Sequence, residues 1–268
     1  MVVFTAVKKE ELKRQLKGFL PEELKTIYEE RRLRKKGVIV ILFTSGKLVL
    51  QGKEEEVEQL AAELEKAKIG QREKELHFLQ EKGWVIGSDE ALKGDSFGGL
   101  IVAAVKADDN LRITLMELGV KDSKKMSDAE VLQMAEKIKQ KVPCVIKSLT
   151  PEEYNQFQGN VTVLLNKLHE ESAVELKPGK HIIDKYPGCN VGDLQTEKAE
   201  SKYLEVAAAS VLARAAGLAQ LDYLSKEAGF TIPKGSTHVQ FALEEMKKRN
   251  LNPRQFVKLH FSNVQKML

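Results

Sequence analysis

The feature that most constrains the fold of this chain is the stretch from Trp84 to Val105, WVIGSDEALKGDSFGGLIVAAV. An apolar run that starts at Trp84 reaches two adjacent carboxylates, Asp89 and Glu90, and after a glycine-bearing loop a second apolar run starts at Leu100. This pattern predicts two strands joined at an acidic corner. Adjacent carboxylates at the end of a buried strand must be hydrated, hydrogen-bonded or neutralised by a cation. We therefore consider a divalent-metal site, and as the alternative a solvated loop that carries two acids.

A second apolar strand is predicted over residues 181–184, and it also ends in a carboxylate, Asp184. Ligands of open sheets bind in the crevice beyond the carboxyl ends of the strands. Successive side chains of a strand point to opposite faces, so Asp89 and Glu90 can share a site only if the chain bends between them. The glycine at position 94 makes such a bend plausible.

A long alanine-rich helix is predicted over residues 196–224. Glu200 falls on its buried face and Glu197, one turn earlier, shares that face, whereas Glu205 is rotated toward solvent. Acids from two strand ends and one helix start would hold two cations of the Mg²⁺ type, which prefer oxygen ligands. Such ions lie about 3.5–4 Å apart and support in-line phosphoryl displacement.

Residues 1–66 predict a small layer of antiparallel strands backed by helices. Its clearest element is a hairpin, in which strands over 38–43 and 47–50 flank a tight turn at Gly46. The segment 22–36 is ambiguous, because its spacing fits a helix and also an edge strand from about Ile27.

A basic cluster precedes the hairpin, and it consists of Arg31, Arg32, Arg34, Lys35 and Lys36. Basic residues often protect an exposed strand edge, so the cluster by itself is equally a solvated edge. Residues 67–82 lack the periodicity of a core element, and we predict a linker or a connecting helix there.

Composition excludes several classes of protein. Cys144 and Cys189 lie far apart without metal-ligand spacing, which favours two reduced structural thiols. No run approaches the roughly 18 to 20 apolar residues of a membrane span, and the first residues run from apolar to charged, the reverse of a signal peptide. The net charge of +4 is compatible with a polyanionic partner without proving one. We expect a cytoplasmic protein without membrane association.

Four motifs follow one another along the chain: IGSDEALKGDSFGG, GVKDSKKMSD, HIID and AESKYLEVAAASVLAR. In this order and spacing they resemble ribonuclease HIII, a branch of the type 2 ribonucleases H, and the hairpin LFTSGKLVLQG is similar to that family's N-terminal domain. The resemblance covers nearly the whole chain. It implies an α/β fold with a TATA-binding-protein-like substrate-binding domain over 1–66, a linker over 67–82 and a ribonuclease H-like catalytic domain over 83–268, whose central mixed sheet is flanked by helices. It also favours the strand over the helix in the ambiguous segment.

The same resemblance implies a monomeric endonuclease that cleaves the RNA strand of RNA/DNA hybrids with two Mg²⁺ or Mn²⁺ ions. Asp89, Glu90 and Asp184 match three members of the family's acidic quartet and Glu200 falls on the fourth, with Glu197 as its substitute. Two alternatives stay open: incision at single ribonucleotides in duplex DNA, as in ribonuclease HII, and a non-catalytic protein that binds hybrids.

The residues that the resemblance assigns to nucleic-acid binding come from three segments: Lys93 and Gly94; Ser123, Lys124 and Lys125; and Arg31, Arg32 and Arg34. Without it, the loop around Lys124 would be a capped turn with solvated lysines. The family usually has Gly-x-Gly where this chain has Leu92-Lys93-Gly94, and we expect Leu92 to crowd the substrate groove. His169, His181 and His238 are scattered without ligand spacing and are interpreted as structural, and Arg214 fits a structural ion pair as well as a phosphate contact.

Overall fold

The computed structural model describes residues 2–25, 27, 29–72, 78–79, 81–120, 123–235 and 237–267, without the side chains of Glu54 and Lys125. The chain divides into two compact units, Met1–Glu75 and Leu76–Leu268.

The described residues of the first unit form a six-stranded antiparallel sheet with two helices. Its strands are β1 (Val2–Thr5), β2 (Leu20–Pro21), β3 (Glu29–Lys35), β4 (Val38–Phe43), β5 (Leu48–Gln51) and β6 (Gln71–Arg72), in the order β2-β3-β4-β5-β1-β6. The helices are α1 (Lys9–Gln15) and α2 (Glu54–Lys66). Alternate strand residues such as Phe4, Val40 and Leu50 pack with Leu12 of α1 and Leu64 of α2, because successive side chains leave a strand on opposite faces.

The hairpin predicted in this unit is confirmed, since β4 and β5 pair around Gly46, which has the positive φ of +81° that the turn needs. In the ambiguous segment, residues 29–35 form the strand β3, and no described residue of the segment lies in a helix. In the predicted linker, residues 73–77 and 80 lie outside the described part of the chain. Before them, β6 pairs with β1 and adds an edge strand to the sheet. Two residues are too few for a sequence pattern to reveal a strand.

The second unit is built on a five-stranded mixed sheet in the order β11-β10-β7-β8-β9. Its strands are β7 (Val85–Ala91), β8 (Leu100–Ala107), β9 (Cys144–Leu149), β10 (Lys180–Asp184) and β11 (Leu194–Thr196). Its helices are α3 (Asp109–Glu117), α4 (Asp128–Lys141), α5 (Pro151–Gln156), α6 (Val161–Leu176), α7 (Leu204–Ala228), α8 (Val239–Lys248) and α9 (Ser262–Gln265). This is the α/β architecture that the sequence predicts, with helices on both faces of a central mixed sheet.

Helix α7 packs closely on one face of β7. A Cβ atom on Gly87 would lie 2.3 Å from the backbone nitrogen of Val206, so only glycine permits this approach. The helix begins at Leu204 and not at Thr196 as predicted. A short 3₁₀ turn over Ala199–Ser201 precedes it, and Lys198 before that turn has a left-handed φ of +55°.

Helix α7 is also long and apolar enough to cross a membrane by length and composition, with a mean hydropathy of 1.3 in its most apolar window. The expectation that no segment approaches that threshold was therefore wrong. The window is 72% buried, because α7 packs against the sheet and against α4. By that burial it matches the core helix of a folded unit.

Candidate active site

The carboxyl ends of β7 and β10 meet at one edge of the second sheet. The two strands are parallel neighbours, and Ile183 pairs with Ser88 in their register. Asp184 and Asp89 each follow that pair by one residue. The sheet therefore brings the two carboxylates predicted at strand ends to the same edge.

Glu90 joins this edge without the bend that the sequence led us to expect. Asp89 and Glu90 both lie within β7, so their side chains leave opposite faces of the strand. Asp89 accepts a hydrogen bond from Ser210 of α7, whereas Glu90 faces His169 of α6. The pair straddles the edge of the sheet between the two flanking helices.

Asp89 is the most strongly perturbed acid of the group. Its burial, followed by the neighbouring charge of Glu90, raises its pKa well above the usual value. The backbone N–H of Glu90, 2.8 Å from Asp89 Oδ1, and the hydroxyl of Ser210 oppose this shift only in part. A nearby cation would favour the ionised form of such a carboxylate.

Glu90 behaves differently, because cationic and donor groups face both of its oxygens. Burial alone would raise its pKa, yet His169 and Lys93 hold the pKa below its usual value. Lys93 Nζ lies 3.0 Å from Oε1, and His169 Nε2 lies 3.6 Å from Oε2. Glu90 is therefore an ionised carboxylate at neutral pH.

Asp184 and Glu200 complete the acidic edge. Burial, together with the charges of Glu200 and Glu90, raises the pKa of Asp184, and the N–H of Ala199 donates to its Oδ1 at 2.8 Å. Glu200 is only 4% exposed and accepts a hydrogen bond from Lys124 at 2.8 Å. The 3₁₀ turn that contains both Ala199 and Glu200 places the glutamate beside Asp184.

The two other glutamates of this region lie elsewhere. Glu197 is exposed, and its backbone carbonyl accepts from Lys202. Glu205, which we expected in solvent, is 1% exposed and forms a buried ion pair with Arg112 of α3. That expectation was wrong because every residue of α7 from Leu204 to Ala213 is buried, so this part of the helix has no solvent face.

The donor set at this edge fits hard divalent cations, which take carboxylate oxygens. Oε2 of Glu90 and Oε2 of Glu200 are buried without a hydrogen-bond partner among the described residues, and a buried carboxylate oxygen rarely stays unpaired. As they stand, no three His, Cys, Asp or Glu side chains of the described chain are gathered closely enough to hold one ion. Lys93 and Lys124 instead neutralise the two glutamates.

The loop predicted to bind phosphate lies against the same edge, although its residues differ in role. The hydroxyl of Ser123 is buried and lies 2.8 Å from that of Ser210, so it supports the side chain that bonds Asp89. The side chain of Lys124 is 73% exposed along its length and reaches Glu200. Asp122 and the side chain of Lys125 lie outside the described residues. Arg214 of α7 donates to the Ser123 carbonyl and to Asp128 and so holds this loop in place. This is the structural ion pair that the sequence left open beside a phosphate contact.

The loop after Glu90 contains the chain's departure from its family pattern. Leu92 adopts a left-handed φ of +63°, a conformation suited to glycine. We expected its side chain to crowd the groove. It packs inward instead, where Gly98 and Gly217 leave room. Gly94 is exposed, with nothing within 4 Å of where its Cβ would lie.

The basic cluster of the first unit is divided between the two faces of its sheet. Arg31 pairs in register with Leu42 and lines a cavity of about 400 Å³ beside α1. Arg32 points to the other face but is 6% exposed and paired with Glu29 and Glu22. Arg34 is half-exposed and also pairs with Glu22.

Sequence reasoning missed two histidines and a lysine near the acidic edge of the second sheet. His169 and His181, which we interpreted as structural and without ligand spacing, both contact the hydroxyl of Ser88 at 2.8 Å. Lys258 is completely buried and donates to backbone carbonyls of the loop after Glu90. Ser88 in β7 and His181 in β10 are polar residues inside otherwise apolar strands, and this pattern was the sequence signal for the contact between the serine and the two histidines.

Comparison with known proteins agrees with this geometry. The sequence model of the family described as ribonuclease HII matches residues 86–264. A ribonuclease HIII of Bacillus velezensis is 36% identical over 266 aligned residues, which cover 86% of this chain and 84% of the relative.

Two solved structures are similar over almost the full length. The crystal structure of Bst-RNase HIII in complex with Mn²⁺ gives a TM-score of 0.63 at 28% identity, covering 99% of this chain and 97% of that one. RNase H3 of Aquifex aeolicus gives 0.60 at 26% identity, covering 97% and 100%. The resemblance noted in the sequence is thereby confirmed, and the chain belongs to the ribonuclease HIII family.

Proposed function

We propose that this chain is a metal-dependent endonuclease that cleaves the RNA strand of RNA/DNA hybrids by hydrolysis of the phosphodiester bond. The observation that carries the proposal is the edge of the second sheet, where β7, β10 and the turn before α7 collect four acids. A relative in this family has been solved with Mn²⁺, which supports a divalent ion as the cofactor.

We assign Asp89, Glu90, Asp184 and Glu200 as ligands of two Mg²⁺ or Mn²⁺ ions. When bound, such a pair of ions activates water and neutralises the leaving oxygen. The protein's part is to hold the acids ready: Ser210 and the Glu90 N–H orient Asp89, and the Ala199 N–H orients Asp184. The raised pKa values of these two aspartates mean that each gains more from a nearby cation than an exposed acid would.

Substrate contacts are proposed for Lys93, Gly94 and Lys124, with Lys125 beside them. Lys93 and Lys124 bond Glu90 and Glu200 and can turn to backbone phosphates once cations neutralise those acids. Ser123 acts through Ser210 in this proposal, because its hydroxyl is buried. The wide, shallow minor groove of a hybrid displays 2′-hydroxyls, so an exposed backbone at Gly94 allows readout by shape and not by base.

We further propose that the first unit is a TATA-binding-protein-like domain that grips the hybrid and that the second is the ribonuclease H-like catalytic domain. In the first unit, α1 and α2 pack on one face of the sheet. The opposite face carries Val3, Ile41 and Val49 in register, of which Ile41 and Val49 are buried, and half-exposed Arg34 lies toward one side. Deleting residues 1–75 is expected to weaken hybrid binding far more than Mn²⁺ binding by the acidic edge. Unchanged hybrid affinity would contradict this role.

The proposal also includes a monomer that acts in the cytoplasm. Hybrids form where nucleic acids are copied, so a bacterial enzyme that acts on them must share that compartment. Sedimentation at micromolar concentration tests the monomer, and cell fractionation tests the compartment.

A cleavage assay with two substrates tests the activity. An RNA strand fully paired with DNA is compared with a duplex that contains one ribonucleotide, each with Mg²⁺, with Mn²⁺ and with chelator. We expect metal-dependent cleavage of the hybrid and its loss in Asp89→Asn, with hybrid binding retained. Preferential incision at the single ribonucleotide would favour the ribonuclease HII alternative, and binding without cleavage would leave only the non-catalytic one.

A further inference from the structure

Behind Glu90 lies a buried chain of side chains that the proposed function does not use. Ser88 and His169 are fully buried and His181 is 6% exposed. The Ser88 hydroxyl lies 2.8 Å from His169 Nδ1 and 2.8 Å from His181 Nε2. The other nitrogen of His169, Nε2, lies 3.6 Å from Glu90 Oε2.

The sheet explains why these groups meet. Ser88 and Glu90 are two residues apart on β7 and therefore point to the same face. Helix α6 covers that face and supplies His169, while the neighbouring strand β10 supplies His181. Nε2 of His169 and Oε2 of Glu90 are both buried, and neither has a hydrogen-bond partner within the described part of the chain. They face each other across a gap slightly longer than a hydrogen bond.

The order of protons along the chain follows from the donors available. A serine hydroxyl carries one hydrogen, so Ser88 donates to one imidazole and accepts from the other. If Ser88 donates to Nδ1 of His169, the hydrogen of that imidazole is on Nε2 and points at Glu90. The reverse order for a neutral ring would set a bare nitrogen lone pair against a buried carboxylate, which is unfavourable. A doubly protonated ring would present the same Nε2–H, so the conclusion does not depend on the charge of His169.

His181 is suited to the donor end of this chain. Burial lowers its pKa to about 4, so its ring is neutral near pH 7 and offers a single N–H. The backbone N–H of His181 donates to Asp193 Oδ2 at 2.7 Å, which fixes the residue in the strand. A neutral ring with its hydrogen on Nε2 donates to Ser88 and leaves the Ser88 hydrogen for His169.

We propose that His169 is a positioning residue for Glu90, and that Ser88 and His181 set its tautomer. The Nε2–H of His169 faces Oε2 from the side of α6, whereas Lys93 contacts Oε1. His169 therefore still orients the carboxylate when Lys93 turns to a phosphate. The inference rests on the proposed function, in which Glu90 is a metal ligand. Groups that orient a metal ligand commonly change metal affinity about 10- to 100-fold when they are removed.

Two substitutions at His169 separate positioning from packing. The side-chain amide of His169→Gln can reach the place of Nε2 and keep a donor toward Glu90, whereas that of His169→Asn replaces only Nδ1 and keeps the contact with Ser88. Mn²⁺ binding without substrate is measured by calorimetry or electron paramagnetic resonance, beside the melting temperature. We expect His169→Asn to raise the Kd for Mn²⁺ about 10- to 100-fold and His169→Gln to stay near the wild-type value.

Ser88→Ala is a second variant, which leaves both rings in place and removes only the control of the tautomer. It is expected to raise the Kd for Mn²⁺ by less than His169→Asn does, with the KM for hybrid unchanged. The inference is overturned if the wild-type protein binds Mn²⁺ and cleaves hybrid, and His169→Asn and Ser88→Ala bind Mn²⁺ as tightly as the wild type. It is also overturned if His169→Gln and His169→Asn weaken Mn²⁺ binding to the same extent. Failure of the wild-type protein to bind Mn²⁺ would instead overturn the proposed function, and this inference with it.

Discussion

The ammonium nitrogen of Lys258 lies 2.7 Å from the carbonyl oxygen of Leu92, and the lysine side chain is completely buried. The same nitrogen lies 2.5 Å from the carbonyl oxygen of Asp95, and the rings of Tyr154 and Phe261 flank it at 5.4 and 5.5 Å. A residue near the end of the second unit thus ties down the loop that follows Glu90. Because burial is costly for an ammonium, its pKa is lowered to about 7.

Replacing Lys258 by methionine is expected to slow cleavage while changing stability little. The substitution releases two carbonyls of the loop beside Glu90, and misplacement of groups near a reaction by about 1 Å can cost about 100-fold in rate. It also removes a buried charge, which offsets the lost hydrogen bonds. The measurement is the steady-state rate on hybrid together with the melting temperature. Lys266→Met, at an exposed position of the same segment, is the control. Equal rates for the two variants would show that Lys258 does not hold the loop in its active position.

Leu92→Gly is expected to destabilise the protein by about 1–2 kcal/mol, even though glycine suits the backbone there. Relief of the left-handed φ at Leu92 returns about 1 kcal/mol, whereas the lost packing of a partly buried leucine costs about 2–3 kcal/mol. Urea denaturation measures the difference. A variant more stable than the wild type would show that the contacts with Gly98 and Gly217 contribute less than the strain costs.

Leu92 and α7 mark the limit of what the sequence predicts. Strands β7 and β10 with their terminal acids were predicted correctly, because apolar runs that end in carboxylates are local patterns. The start of α7 was not, since the residues before Leu204 favour a helix and the break depends on a contact distant in sequence, the Ala199 N–H with Asp184. The inward turn of Leu92 likewise depends on Gly217, 125 positions further along the chain by residue number. Sequence patterns carry no record of such contacts.

Glu200→Gln is expected to reduce cleavage by at least about 100-fold, beyond the range typical of residues that only support a ligand. Glu200 is buried beside Asp184 with one oxygen unpartnered, and glutamine keeps its shape but not its charge. Glu197→Gln, at an exposed position three residues earlier, is the matched control and should cleave at nearly the wild-type rate. The comparison uses single-turnover rates at saturating Mn²⁺. A larger loss in Glu197→Gln would exchange the two assignments.

Acid is expected to weaken the fold through His181. Its pKa falls from 6.5 to about 4 on folding because the ring is buried, so between these values the unfolded chain binds a proton that the native chain does not. Stability must therefore fall as the pH drops from about 6.5 to about 4, by up to roughly 3 kcal/mol in all and about 2 kcal/mol by pH 5. Asp89 and Asp184, whose pKa values are raised, act in the opposite sense, because their native forms take up protons more readily.

A comparison with His181→Gln isolates this contribution. Glutamine can donate to Ser88 as His181 Nε2 does but has no titration in this range, and both aspartates are present in both proteins. Urea denaturation at about pH 7.5 and about pH 5 gives the free energy of unfolding of each. The wild-type protein should lose about 2 kcal/mol more than the variant between the two conditions. Equal losses would mean that His181 takes up its proton in the native state as readily as in the unfolded chain, and that the ring is not held neutral behind Glu90.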